Sequence, residues 1–247
     1  WELLTLKATS QHLGELPEVL FRYEWPETRT APEEPQPRAA GGRILFAWSA
    51  AGGAVPAADQ LTAIAESCRN GEYSFDPSRD VLPHLSLFRI GSMLAAAQQS
   101  NEPFSVLHIL CHGANEGSTW GLAFNRDGDE SQVDVVDAGR LRQVLGPYAG
   151  TLRLIILMAC NSGNLGEHWG NHLGSVAQAV HRAGFAAVIG SRYVMSTGSA
   201  QLFSQAFYSE LFRGPASLEQ AFREARRRCR TGSPPAPHAR RPGTTNR

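Results

Sequence analysis

Apolar residues form short continuous runs along this chain, and segments with apolar positions every three to four residues lie between them. Continuous runs of this length are typical of strands covered on both faces of a sheet. They occupy residues 44–48, 106–111, 152–159 and 185–190. The segments with helical spacing are 56–69, 85–98, 137–145, 172–182, 197–212 and 217–230. This alternation predicts an α/β fold, a mostly parallel sheet with helices on both faces.

Turn and capping residues mark the boundaries of several of these elements. Asp127-Gly128 lies between two short apolar segments and predicts a hairpin. Asp137 is placed to cap the helix that follows it, and Ser217–Gln220 has the sequence of a capping box. Gly184 is suited to end a helix in the left-handed conformation. A short strand is also expected at 73–75.

Composition divides the chain into three parts. Residues 1–42 are expected to be an N-terminal appendage, with a strand at Val19–Trp25 and a linker rich in Pro, Glu and Gly. Residues 43–230 hold the alternating core, which is long enough to bury a sizeable interior. Residues 231–247 are rich in Pro and Arg and are predicted to be a disordered tail.

Charge and cysteine content restrict the function classes. The 23 basic residues balance the 23 acidic ones, so neither nucleic acid nor a membrane surface is an expected partner. The four cysteines form no CxxC pair, which favours a reducing, cytoplasmic setting over a disulfide-linked secreted one. The chain does not begin with Met, and we expect its N-terminus to be a cut within a longer protein.

Two reactive side chains follow two of the buried strands. His112-Gly113 comes directly after the 106–111 run, and Cys160 comes directly after the 152–159 run, with the turn residues Ser162-Gly163 beyond it. In open α/β sheets such strand ends meet in one crevice. Imidazole beside a thiol can take its proton and create the nucleophilic thiolate. His112 is therefore the candidate general base and Cys160 the candidate nucleophile.

The backbone at the same positions supplies candidate oxyanion donors. A tetrahedral intermediate needs N–H groups aimed at its oxygen. The N–H groups of Gly113 and Cys160 are suited to this, because Gly113 has no Cβ to keep a substrate carbonyl away.

Less specific interpretations of these residues stay open. A buried Cys or His is often only a core residue. His108 and His112 are four positions apart, so on one strand they would share a face and could hold zinc with Cys160. No fourth ligand is evident, so no metal and no cofactor are expected, and His108 is expected to be hydrogen-bonded beneath the site. Cys111 is expected in the core.

With these motifs the sequence resembles the CHAT family, caspase-like peptidases related to caspases, metacaspases and separase. The matching strings are Leu107–Gly113 and Leu157–Gly163, with further similarity at 183–190, 206–211 and 217–228. The spacing of 48 positions between His112 and Cys160 is close to the roughly 50 found in caspases. The resemblance implies a caspase-like fold over about 43–230 and peptide-bond hydrolysis by this dyad through an acyl-enzyme.

One segment departs from the family pattern. After the 185–190 strand the family commonly has an acidic pair, whereas this chain has Ser191-Arg192-Tyr193. Arg192 would favour an acidic substrate side chain, although a solvated loop charge is the alternative. Asn161, Ser191, Arg192, Tyr193 and Glu116 are the candidate substrate-binding residues, and Glu116 or Asp127 could supply an acid from another loop.

The expected function is therefore a cysteine endopeptidase that cleaves a protein substrate. The resemblance also implies an upstream sensor domain or partner that switches the enzyme on, and a role in prokaryotic (antiviral) defence or regulated cell death. Because the 191–197 segment is altered, a catalytically silent binding or signalling module is the alternative. A thiol hydrolase or transferase acting on a non-peptide substrate is a third possibility.

Overall fold

Strands and helices alternate through the residues that the computed structural model describes, which are 16, 42–69, 71, 73–117, 119–159, 175–191, 196–212 and 217–231. The strands are β1 (Gly42–Trp48), β2 (Tyr73–Ser74), β3 (Val81–Leu82), β4 (Phe104–Leu110), β5 (His112–Glu116), β6 (Thr119–Arg126), β7 (Asp129–Asp137), β8 (Leu154–Met158) and β9 (Ala187–Gly190). The helices are α1 (Ala57–Cys68), α2 (Leu87–Gln99), α3 (Ala138–Leu145), α4 (Val176–Arg182), α5 (Thr197–Phe212) and α6 (Leu218–Thr231).

The main sheet is parallel throughout, as the alternation predicts. Its strand order is β2-β1-β4-β8-β9, and β3 pairs with β1 beside this path. All the pairings that join these strands are parallel. In a parallel sheet the carboxyl ends of neighbouring strands lie at the same edge. The ends of β1, β4, β8 and β9 therefore lie side by side.

Each face of this sheet carries its own hydrophobic core. On β1, Leu45 and Ala47 belong to one core, whereas Ile44 and Phe46 belong to the other. Side chains of α2, α3 and α4 pack in the first core, and side chains of α1, α5 and α6 pack in the second. The predicted α/β architecture with helices on both faces is confirmed.

A second sheet, antiparallel and three-stranded, follows β4 in the order β5-β6-β7. The Asp127-Gly128 turn joins β6 to β7, which confirms the predicted hairpin. The Asp127 carboxylate accepts a hydrogen bond from the Ser86 hydroxyl, and the Asn125 N–H donates to the Leu85 carbonyl at 2.8 Å. These contacts attach the hairpin to the amino end of α2.

The predicted helix ends are also confirmed. The Asp137 Oδ1 accepts from the N–H groups of Gly139 and Arg140 at 2.7 and 2.9 Å. Ser217 and Gln220 form a reciprocal capping box, since the Gln220 N–H donates to Ser217 Oγ and the Ser217 N–H to Gln220 Oε1. Helix α4 ends before Gly184, which has φ +106°.

One buried carboxylate fixes the start of β1. Asp80 is fully buried, and its Oδ1 accepts from the Arg43 Nη2 and Nε at 2.6 and 3.1 Å and from the Arg79 Nε at 3.1 Å. Its other oxygen accepts from the Asp76 N–H at 2.9 Å. Glu102 pairs with the same two arginines from the exposed side. Arg43 thus joins β1 to the segment before β3.

Some predicted features lie outside the described residues. These are the strand at 19–25, the linker that follows it, the first residues of the predicted 172–182 helix, and the tail after Thr231. No described helix is both long and apolar enough to cross a membrane.

Candidate active site

The carboxyl ends of β4 and β8 lie side by side at one edge of the main sheet. Leu110 is in register with Met158, and the Cys111 N–H donates to the Met158 carbonyl at 3.2 Å. His112 comes next after Cys111, and Ala159 is the last described residue before Cys160. Cys160 itself lies outside the described residues.

His112 has a defined position at this edge. It is the first residue of β5, with its side chain partly exposed, and its Nε2 lies 3.3 Å from the Ala54 carbonyl oxygen. A carbonyl can only accept, so this contact is a hydrogen bond when Nε2 carries the proton. In that tautomer Nδ1 is unprotonated and can accept a proton from another group.

The loop after β1 holds the His112 imidazole. The Ser49 N–H donates to the Leu110 carbonyl at 2.9 Å, and the Gly53 N–H donates to the Ala50 carbonyl at 3.0 Å. Gly53 has φ +145°, and a Cβ built there would lie 3.3 Å from His112 Nε2. Sequence reasoning missed this loop, although the Gly52-Gly53 pair directly after a buried strand is a signal of close backbone approach.

The residues from His112 to Glu116 form a strand that the sequence pattern does not predict. Gly113 does not lie in a flexible turn: it is the second residue of β5 and pairs with Leu122 of β6. The sequence His-Gly-Ala-Asn-Glu lacks the β-branched and aromatic residues that usually mark a strand, so its pairing comes from the β6–β7 hairpin beside it.

Two of the five candidate substrate-binding residues, Ser191 and Glu116, are among the described residues. Ser191 directly follows β9, whose Gly190 is in register with Leu157 of β8. Glu116 is exposed at the far end of β5, about 13 Å along the strand from His112. Asn161, Arg192 and Tyr193 lie outside the described residues.

Comparison with known protein families shows to which family this chain belongs. The model of the CHAT domain matches residues 47–243, from within β1 onwards. The chain belongs to the CHAT domain family. The resemblance found in the two strand-end motifs is thus confirmed.

The solved structures similar to this CHAT domain are distant. A secreted C11 cysteine protease from Bacteroides thetaiotaomicron, in complex with an irreversible peptide inhibitor, has 12% identity and a TM-score of 0.49 over 75% of this chain. The CHAT chain spans 57% of that protease. Pyridoxal kinase from Lactobacillus plantarum has 13% identity and a TM-score of 0.34, over 77% of this chain and 87% of its own. No curated protein matches the sequence.

His108 is separated from His112 in the CHAT domain. The predicted shared face is wrong, because β4 ends at Leu110 and His112 starts the second sheet. His108 is fully buried beneath α5, where its Nδ1 lies 2.8 Å from the Tyr208 hydroxyl and its ring packs edge-on against Phe46. The predicted hydrogen bond of His108 is therefore present. The part of the chain that the structure describes contains no cluster of three His, Cys, Asp or Glu residues that could hold a metal.

Acid should destabilise this CHAT domain through His108. Burial lowers the pKa of His108 from 6.5 to about 3, because the charged ring would lose its hydration. At a pH between these two pKa values, His108 binds a proton in the unfolded chain but not in the folded chain. We therefore expect the free energy of unfolding to fall with decreasing pH, with a contribution from this residue of about 1.4 kcal/mol per pH unit.

Urea denaturation at about pH 7, 6 and 5 would measure this slope. The His108→Gln variant, which cannot titrate, should show a correspondingly smaller slope. Equal slopes for the two proteins would show that His108 is not the buried neutral group described above.

The described thiols of the CHAT domain are poorly suited to act as nucleophiles. Cys111 is buried in the core, as predicted. Burial, with the nearby Asp80 charge, raises the pKa of Cys68 to about 12. Burial also raises the pKa of Cys229. Because the thiolate is the reactive form, Cys68 and Cys229 are largely protonated at neutral pH.

The small space between Gly53 and His112 can be tested with a matched pair of variants. We expect Gly53→Ala to lower kcat/KM by about tenfold, since the new Cβ crowds the imidazole and displaces Nε2 from Ala54. Gly52→Ala is the control: this residue also has positive φ (+87°), but a Cβ there meets no atom within 4 Å. Both variants would be measured by steady-state cleavage of a peptide, the reaction that the sequence predicts. If kcat/KM falls equally in the two variants, the cause is the changed backbone of the loop and not crowding of His112.

Proposed function

We propose that this CHAT domain is a cysteine endopeptidase in which His112 is the general base and Cys160 the nucleophile. The observation that carries the proposal is the register of β4 and β8, which pairs Leu110 with Met158 at the edge where His112 follows. Cys160 is two residues beyond Met158, just as His112 is two residues beyond Leu110. The pattern of side-chain faces agrees, since Leu110 and Met158 belong to one core and Cys111 and Ala159 to the other.

The chemistry follows from the contacts of His112. With Nε2 donating to the Ala54 carbonyl, Nδ1 can take the proton of the Cys160 thiol. The thiolate then attacks the scissile carbonyl carbon, and the imidazolium returns its proton to the leaving amine as the peptide C–N bond breaks. Water, activated by the neutral imidazole, hydrolyses the resulting thioester and regenerates the thiol. The Ala54 carbonyl has the role of orienting the base and stabilising its charge.

The remaining features of the proposal rest on the sequence. The N–H groups of Gly113 and Cys160 are the proposed oxyanion donors. Ser191, Arg192 and Tyr193 are proposed to border the pocket for the side chain before the cut, with Asn161 and Glu116 as further contacts. A cytoplasmic location, an upstream sensor or partner that activates the enzyme, and a role in defence or regulated cell death complete the proposal.

A substrate screen tests the reaction class. The wild-type chain would be assayed against a positional-scanning peptide library and against ester and thioester substrates with the same acyl groups. We expect cleavage of peptides with a preference at the residue before the cut. Turnover of esters or thioesters alone would favour a non-peptide hydrolase, and no turnover of any substrate would favour the silent module that the altered 191–197 segment also fits.

A further inference from the structure

Three polar side chains are buried where α1 and α5 cover one face of the main sheet. Gln60 and His108 are fully buried, and Ser204 is 1% exposed. The Gln60 Nε2 and Oε1, the Ser204 Oγ and the His108 Nε2 have no hydrogen-bond partner among the described residues. A buried polar atom that gives up water and gains no partner destabilises the fold. Four such atoms in one layer therefore indicate a molecule that binds to them.

Helices α1 and α5 pack in the same core and run in the same direction, since each begins beyond the carboxyl end of a strand of the main sheet. A Cβ built on Gly71, just after α1, would lie 2.8 Å from the Phe212 Cβ at the end of α5. About one turn earlier, Cys68 is close enough to Tyr208 for its charge to raise the pKa of the Tyr208 hydroxyl. These contacts set the level of one helix against the other.

This alignment places the polar groups at successive turns along the seam between α1 and α5. Gln60 and Cys68 lie on one stripe of α1, eight positions apart, and Ser204 and Tyr208 lie on one stripe of α5, four positions apart. Counted back from the level of Cys68 and Tyr208 at 1.5 Å per residue, Ser204 is about 6 Å and Gln60 about 12 Å nearer the carboxyl edge of the sheet.

The chemistry of these groups restricts what can bind between them. The Gln60 amide and the Ser204 hydroxyl both donate and accept, and the His108 Nε2 does one or the other according to the direction of the 2.8 Å bond between its Nδ1 and the Tyr208 hydroxyl. His108 is neutral near pH 7, so an ion would find no opposite charge among these groups. Groups about 6 Å apart are too distant for a direct hydrogen bond, whereas one water molecule with two bonds of about 2.8 Å spans this distance.

We propose that water molecules are bound in the seam between α1 and α5 and join Gln60, Ser204 and His108 into one hydrogen-bonded line. Such buried water satisfies donors and acceptors that the protein leaves unpaired, and it is part of the folded structure. The three side chains are then stabilising members of one network and not isolated polar groups in an apolar core.

The line begins beside the candidate active site. Gln60 is in the first turn of α1, and its N–H donates to the Pro56 carbonyl at 3.2 Å. Pro56 is two residues after Ala54, whose carbonyl oxygen lies 3.3 Å from the His112 Nε2. The bound water therefore stabilises the start of α1 next to the loop that holds His112.

A double-mutant cycle tests the line in solution. Gln60→Leu and Ser204→Ala each remove one member, and urea denaturation of the wild type, the single variants and the double variant gives the four unfolding equilibrium constants. If water links the two side chains, we expect the combined effect to depart from the product of the single effects by about fivefold.

Ser67→Ala is the matched control for Gln60→Leu in this cycle. Ser67 is also buried on α1 and is about as far from Ser204 along the seam as Gln60 is, but its hydroxyl donates to the Ala63 carbonyl at 2.8 Å. The effects of Ser67→Ala and Ser204→Ala should multiply to within about twofold. Independent effects of Gln60→Leu and Ser204→Ala, or equal departures in the two cycles, would overturn the proposal.

A crystal structure of the wild-type protein at high resolution locates the water without any variant. We expect density for water molecules within about 3 Å of the Gln60 amide and of the Ser204 Oγ. A seam without such density would overturn the proposal. So would a direct bond between Gln60 and Ser204, or density for a larger molecule.

Discussion

Cys160→Ala is expected to lower kcat/KM for peptide cleavage by roughly a millionfold, to the level of residual binding effects. The methyl group cannot form the thioester, so no covalent route remains. His112→Ala is expected to lower kcat/KM by about a thousandfold or more, since the thiol loses the base held by Ala54. The double variant should be no worse than Cys160→Ala alone, because the two groups act as one unit.

The chain provides a matched control for each of these variants. Cys229→Ala removes a partly buried thiol on α6, and His84→Ala removes an imidazole that packs against Trp48 at the end of β1. Both should keep kcat/KM within about twofold of the wild type, as expected for side chains outside the reacting atoms. Substantial cleavage by Cys160→Ala would contradict the dyad, whatever the controls show.

The largest expected effect on stability comes from the buried carboxylate of Asp80. Asp80→Asn keeps the size of the side chain but removes the charge that faces Arg43 and Arg79. Breaking one side of a buried ion pair costs about 3–5 kcal/mol. For a domain of this size this corresponds to a fall in melting temperature of roughly 10 °C, measurable by thermal denaturation or by urea titration.

Glu102→Gln is the control for this prediction because Glu102 pairs with the same two arginines. Its side chain is 55% exposed, whereas that of Asp80 is 0% exposed. An exposed pair contributes at most about 1 kcal/mol. If the melting temperature falls by a similar amount in the two variants, the burial of Asp80 is not the reason for its contribution to stability.

Much of the fold follows from local sequence rules. Buried parallel strands such as β4 and β8 are apolar on both faces, so their positions are clear from composition. Capping side chains such as Asp137 and Ser217 act within one helical turn, which makes them visible in the sequence. In contrast, β3 has two residues and exists through its pairing with Phe46 and Ala47 of β1. No local pattern specifies such a contact.

The candidate site could be predicted only in part for the same reason. In the sequence, His112 and Cys160 directly follow the apolar runs that mark β4 and β8. The Ala54 carbonyl is a backbone group 58 positions away in sequence, and a carbonyl carries no residue-type signal. Strand β5 was missed because its small and polar residues favour a turn, whereas pairing with β6 makes it a strand.

Covalent labelling with a thiol-directed peptide electrophile tests the dyad most directly, and the other three cysteines are internal controls. After reaction, the modified residue would be identified by intact mass and peptide mapping. We expect one adduct per chain, on Cys160, with none on Cys68, Cys111 or Cys229, whose side chains are buried or half-buried. In His112→Ala the adduct should form about a hundredfold more slowly. Labelling on another cysteine, or equal rates with and without His112, would contradict the assignment of His112 and Cys160 as the catalytic pair.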